Sequence, residues 1–191
     1  MIYPIVAFGD PVLKKRAEEI EPGTDVKQLV EDMFATMYAA SGVGLAAPQI
    51  GKGIRLFVID AKPMDEEDES LQNLRKAFIN PTILDETGEK WPFEEGCLSI
   101  PGVRADVYRP AKVRIRYFDP DWNEHVEEYD GMGARVIQHE YDHLEGVLFT
   151  DYLSAMKKRL LKNRLTDISK GNVKADYRMK FPAAPRRAGV R

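Results

Sequence analysis

The sequence predicts an α+β fold, with short antiparallel β-sheets packed around a central HExxH helix and a C-terminal helix. Three observations predict it. Residues 24–41 repeat apolar side chains at helical spacing, residues 112–118 alternate strictly, and the helical and strand signals do not follow the regular β-α-β order of a parallel sheet.

In chain order, Val26, Leu29, Val30, Met33, Phe34 and Met37 form an i, i+3, i+4, i+7 stripe, with Thr24 as the expected N-cap and Gly42 as the expected C-terminal glycine. The glycine-rich GVGLAAPQIGKG (42–53) follows, then IRLFVID (54–60), an apolar run that reads as a buried strand. MDEEDESLQN (64–73) reads as a charged, mobile loop, and AFINPTIL (77–84) as a strand interrupted by Pro81. In KVRIRYF (112–118), Val113, Ile115 and Tyr117 share one face; HVEEYDG (125–131) is the expected hairpin partner across the turn DPDWN. The HExxH helix comes next, then a second helix from about Tyr152 to Leu165. Its Leu153, Met156, Leu160 and Leu161 are expected to pack on the body.

A chain of 191 residues suits one domain, expected over 1–165, with 166–191 as a basic tail whose order the sequence leaves open. No apolar run reaches the roughly 20 residues of a membrane span, and MIYPIVAFGDPVLKK lacks the pattern of a secretory signal. A single cysteine cannot form an internal disulfide, which fits a cytoplasmic setting. The net charge of −3 hides an asymmetry. From Lys157 onward twelve Lys or Arg face two acids, a net of +10, which leaves −13 for the rest. Such a basic end suits a polyanion such as ribosomal RNA, or simply a solvated helix face.

The chemistry starts from QHEYDH (138–143). On a helix His139 and His143 share a face and can grip one ion, with Glu140 beside them as a general base. HExxH alone points to a zincin-type metallopeptidase, whose third ligand lies downstream. Here the metzincin position holds Phe149, and residues 160–166 read LLKNRLT, without the glutamate of a thermolysin-like site. Two upstream donors remain. Cys97, the only thiol, sits in EEGCLS (94–99); His125 sits in the polar hairpin WNEHVEEYD, which reads as solvated surface. Thiolate with two imidazoles leaves a position open for water, a catalytic rather than a closed arrangement.

GVGLAA superficially fits a dinucleotide fingerprint, but it follows a helix and runs into a strand, the reverse of what that motif requires; GKG lacks the P-loop ending. The segment reads better as a wall along which a peptide backbone can lie, with Gln49 able to offer an amide N–H to a developing oxyanion.

Together, GVGLAAPQ (42–49), EEGCLS (94–99) and QHEYDH (138–143) resemble the three signature motifs of peptide deformylase. The resemblance covers about residues 1–165, including PIVAFGDPVL near the start; Met132-Gly133 departs from the bulkier pair often found there, and the chain after Leu165 is not matched. It implies removal of the formyl group from N-formylmethionyl nascent peptides, releasing formate. It implies one divalent metal ion on Cys97, His139 and His143, Fe(II) in the cell, with Zn, Ni or Co found in preparations. Glu140 would take a proton from water and pass it to the departing amine, and Gln49 and the Leu98 backbone N–H would hold the oxyanion. Gly44 would bond the peptide backbone. The methionine pocket would draw on Val43, Glu95, Met132, Arg135, Val136 and His139. Asp142 would fix the ligand helix through Arg109.

Overall fold

The computed structural model describes residues 1–64 and 67–182. Its centre is a five-stranded antiparallel sheet in the order β2-β3-β4-β5-β6, formed by Gly44–Ala46, Leu56–Asp60, Arg75–Cys97, Ile100–Phe118 and Glu124–Asp130. The motif helix α3 (Gly131–Leu144) packs on one face and α1 (Lys27–Ala39) on the other, which explains why the four buried residues 56–59 of β3 are all apolar. Phe57 and Ile59 meet Ala134, Ile137 and Leu144, whereas Leu56 and Val58 meet Val30, Met33 and Met37. A strand covered on both faces has no polar side to show.

The expected face of 112–118 is present, with Val113, Ile115 and Tyr117 buried and Lys112, Arg114 and Arg116 exposed. Strands β4 and β5 are far longer than the expected segments, at 23 and 19 residues. They bend through register shifts instead of ending, and Pro81 lies in the first shift, between Ile79 and Thr82. There Asn80 takes a φ of 45° and its side chain pairs with both the N–H and the C=O of Ile20, at 2.8 Å each. A side-chain amide thus replaces the ladder bonds that the proline region gives up.

Four expectations are corrected. The N-cap of α1 is Val26, and Thr24 instead donates its hydroxyl to Glu21 C=O at 2.6 Å. The left-handed residue after α1 is Ser41 (φ 54°), not Gly42. Ser41 N–H bonds Tyr38 C=O and Gly42 N–H bonds Met37 C=O, a Schellman ending with serine in the glycine position. Gly42 is needed for space, since a Cβ there would lie 2.9 Å from Leu98 Cδ1. The charged segment 64–73 contains a short helix, α2 (Glu69–Gln72), anchored by the buried Leu71; Asp65 and Glu66 lie outside the described residues.

The fourth concerns the C-terminal helix. A 3-10 turn occupies Phe149–Tyr152, and α4 spans Ala155–Ser169 behind a Ser154 cap. Leu153 is buried, but Met156 and Leu160 are 73% and 75% exposed. The stripe that docks is Leu161, Leu165 and Ile168, so α4 rests on its C-terminal half. Residue 165 falls inside this helix. Beyond it the chain turns at Gly171 and returns as β7 (Met179–Lys180), parallel to β1 (Ile5–Val6). Residues 183–191 of the expected tail lie outside the described residues.

Candidate metal centre and its cleft

Cys97 ends β4, and the Leu98-Ser99 turn that follows it joins β4 to β5. His139 and His143 lie one turn apart on α3, directly beneath. The donor atoms of these three residues fall within 4.8 Å of one another. Cys97 Sγ is 3.5 Å from His143 Nε2, and the two imidazoles stand edge to face with centroids 5.1 Å apart. His125, the competing donor, is elsewhere on β6, where it pairs with Asp119 at 2.7 Å and stacks on Tyr117.

Glu140 lies between the histidines and is buried, with Oε2 lacking any partner among the described residues. Burial pushes its carboxyl up to about 7, against the pull of His139. A thiol, two imidazoles and an unpartnered buried carboxylate together fit a divalent cation of borderline softness, which would compensate the carboxylate that burial penalises. Burial lowers the pKa of both imidazoles, but bonds to Cys97 and Glu95 outweigh it at His139, which is raised. At His143 burial wins, and the charges on His139 and Arg109 lower it further against the pull of Glu95.

Glu95 is the hub behind His139. Its carboxylate accepts from Arg109 Nε at 2.7 Å and Nη2 at 3.0 Å, from Arg135 Nη1 at 3.0 Å, and from His139 Nδ1 at 2.9 Å. Burial opposes its charge, yet the bonds from His139 and Arg109 hold it well below the usual carboxylate range. With Nδ1 so engaged, Nε2 of His139 is the nitrogen left for a metal. Arg109 also reaches Asp142 at 2.7 Å, and Asp142 accepts from Tyr152 at 3.1 Å, so the acid inside the motif is tied to β5 as the sequence suggested. Arg135 also donates from Nη1 to Val107 C=O and from Nη2 to Trp91 C=O, while its Nε has no partner among the described residues. Glu95 and Arg135, both expected in the methionine pocket, pair their charged ends with one another.

Gln49 sits in the 3-10 turn Ala47–Ile50, started by Pro48. Its Oε1 accepts from Ala46 N–H at 2.9 Å, which turns Nε2 toward Cys97 Sγ at 3.3 Å and Ser99 Oγ at 3.4 Å. Gly44 covers Glu140: a Cβ at Gly44 would lie 2.4 Å from Glu140 Oε1. Gly44→Ala is therefore expected to push the carboxylate aside and cut turnover about 10²-fold, as misplacement of a reacting group by about an ångström does. Steady-state kinetics at matched metal content checks this; wild-type turnover would remove Glu140 from the chemistry.

These groups open into a cleft of about 520 Å³. Of the residues named from the sequence, Val43, Gly44, Gln49, Glu95, Leu98, Arg135, Val136, His139 and Glu140 line it; Met132 does not, and Met64 does. Met132 packs against the core cluster under α3. Sequence reasoning also missed Phe93 and Tyr177 in the lining. For Tyr177 a signal existed, because NVKADYRMK alternates with period two.

The Polypeptide deformylase family matches the chain over residues 2–159. A peptide deformylase of Cytophaga hutchinsonii is 68% identical over 183 residues, covering 95% of this chain and 98% of that protein. One from Christiangramia forsetii is 54% identical, covering 96% and 98%. Among solved structures, the peptide deformylase from Ehrlichia chaffeensis superposes with a TM-score of 0.80 at 34% identity, covering 90% of this chain and 99% of that one. The Plasmodium falciparum enzyme superposes at 0.78 and 36% identity, covering 87% and 95%.

Proposed function

The chain belongs to the polypeptide deformylase family, and from that premise we infer how its cleft acts and on what. It is a metal-dependent hydrolase that removes the N-formyl group from the N-terminal methionine of new proteins. One observation carries the reading: a Cys-His-His donor set and a buried carboxylate adjoin a cleft bordered by an edge strand.

Cys97, His139 and His143 would hold one divalent cation, Fe(II) in the cell and Zn, Ni or Co as substitutes. Bound there, such a cation supplies Lewis acidity and brings the pKa of a water molecule toward neutral. Glu140 takes the water proton as the formyl carbon is attacked, and returns it to the departing amine. The Gln49 side-chain amide and the Leu98 backbone N–H donate to the developing oxyanion. Strand β2 is the edge of the sheet, so its Gly44 backbone is free to pair with an extended peptide. The methionine side chain lies against Val43, Val136 and Met64, where the mutual neutralisation of Glu95 and Arg135 leaves an apolar surface.

An anaerobic preparation tests this. Formate is expected from formyl-Met-Ala-Ser, none from its acetylated form, and chelation should abolish release until a divalent ion is restored. Internal cleavage of the unblocked peptide would instead favour the zincin-type metallopeptidase reading. A ferrous ion beside a thiolate also predicts loss of activity in air, slower with Ni or Co in its place.

The substrate emerges at the ribosome in the cytoplasm, and no helix among the described residues is long and apolar enough to cross a membrane. The exposed face of α4 carries Lys157, Lys158, Arg159 and Lys162 beside the exposed Met156 and Leu160, which suits ribosomal RNA. Because α4 buries Ile168 in the body, charge reversal at Lys158, Arg159 and Lys162 is a cleaner test than truncation. Ribosome binding should fall steeply with salt and be lost on reversal, with formate release retained. Salt-insensitive binding would refute it.

A further inference from the structure

We propose that Tyr177 is a positioning residue for the catalytic turn, acting through the carbonyl of Leu98. The inference rests on the functional reading above, in which the Leu98 N–H meets the oxyanion. Tyr177 lies outside the segment matched by the family, in the strap that follows α4.

Both carbonyls of the Leu98-Ser99 turn are held from outside the hairpin. Tyr177 Oη donates to Leu98 C=O at 2.8 Å, and Phe8 N–H donates to Ser99 C=O at 2.8 Å. The two donors belong to opposite ends of the chain, and those ends are joined. Ile5 N–H bonds Arg178 C=O and Ala7 N–H bonds Lys180 C=O, so β1 and β7 form one small parallel sheet. That sheet grips the turn on two sides. In the strap Val173, Ala175, Tyr177 and Met179 are half-buried between exposed Lys174, Asp176, Arg178 and Lys180, which aims the Tyr177 ring inward. Burial pushes its hydroxyl up to about 12, so it remains a donor at neutral pH.

Leu98 is thereby fixed at three points. Cys97 precedes it at the metal centre, Tyr177 holds its carbonyl, and its Cδ1 fills the space left by the missing side chain of Gly42. An N–H that must meet charge as it develops gains from being set beforehand. The Tyr177 hydroxyl is spent on the Leu98 carbonyl, and it acts by restricting the backbone whose N–H faces the oxyanion.

Tyr177→Phe keeps the ring and removes the bond. Wild type and variant, loaded to equal metal content, are compared on formyl-Met-Ala-Ser. The expected result is a kcat about 10-fold lower, a fraction of the 10²–10³ that follows loss of a whole oxyanion donor, with KM within about twofold. The Leu98 amide should exchange its hydrogen faster, while the thermal midpoint barely moves. Unchanged kcat in a wild-type background that releases formate would overturn the proposal and leave the function standing. So would a variant that fails to fold, which assigns Tyr177 to the fold and not to the turn. A wild type that releases no formate overturns the functional reading first, and this inference with it.

Discussion

Replacing Glu140 by Gln is expected to lower formate release about 10³-fold, within the range of a lost general acid–base, while the protein retains its metal. Gln keeps the shape beneath Gly44 and neither binds nor releases the proton. The Cys97-His139-His143 set is untouched, so metal content should stay at wild-type level, and unchanged turnover would refute the assigned mechanism. A second signature appears in the metal-free protein. The folded carboxyl is raised from 4.5 to about 7 by burial, so the folded state holds a proton that the unfolded state has already lost. Stability contributed by this group is then full below 4.5 and is lost as pH rises toward 7. Gln abolishes that decline. Thermal midpoints measured across this interval for the two metal-free proteins check the sign.

What the sequence disclosed follows from where a short period suffices. Val113, Ile115 and Tyr117 could be read as one face because a strand needs only alternation, and His139 and His143 because a helix needs only i, i+4. Cys97 was reached by elimination along the chain, and its approach to the histidines depends on a β4 that bends at Asn80 and runs on for 23 residues. That bend is set by a partner 60 positions away, Ile20, which no local pattern discloses. Met156 and Leu160 misled for the opposite reason. They share a helix face, but which face docks is decided by the surface beneath, and Leu161, Leu165 and Ile168 meet it. The role of Glu95 was hidden in the same way: all four groups that hydrogen-bond its carboxylate come from β5 or α3, and only folding turns a pocket carboxylate into a hub.

Glu95→Gln should therefore be the most damaging substitution outside the metal donors. The wild-type carboxylate sits with its side chain 4% exposed among Arg109, Arg135 and His139. Gln leaves Arg135 buried without a counter-charge, whereas Arg109 keeps Asp142. Breaking one partner of such a buried pair costs about 3–5 kcal/mol, since the remaining charge keeps its desolvation penalty. The loss should show in denaturant unfolding at neutral pH. Metal affinity should fall as well, by about 10- to 100-fold, because Gln offers one neutral acceptor oxygen to donors that share two charged ones, and His139 loses the carboxylate that orients its ring. Chelator competition on folded protein separates this from the stability loss. The acid limb gives a third readout, opposite in sign to that of Glu140. A carboxyl held below its ordinary value of 4.5 contributes stability above that pH and loses it as pH falls through the folded value. Gln should flatten this limb. A variant with wild-type metal affinity and an unchanged acid limb would mean that Glu95 neither orients His139 nor balances the buried arginines.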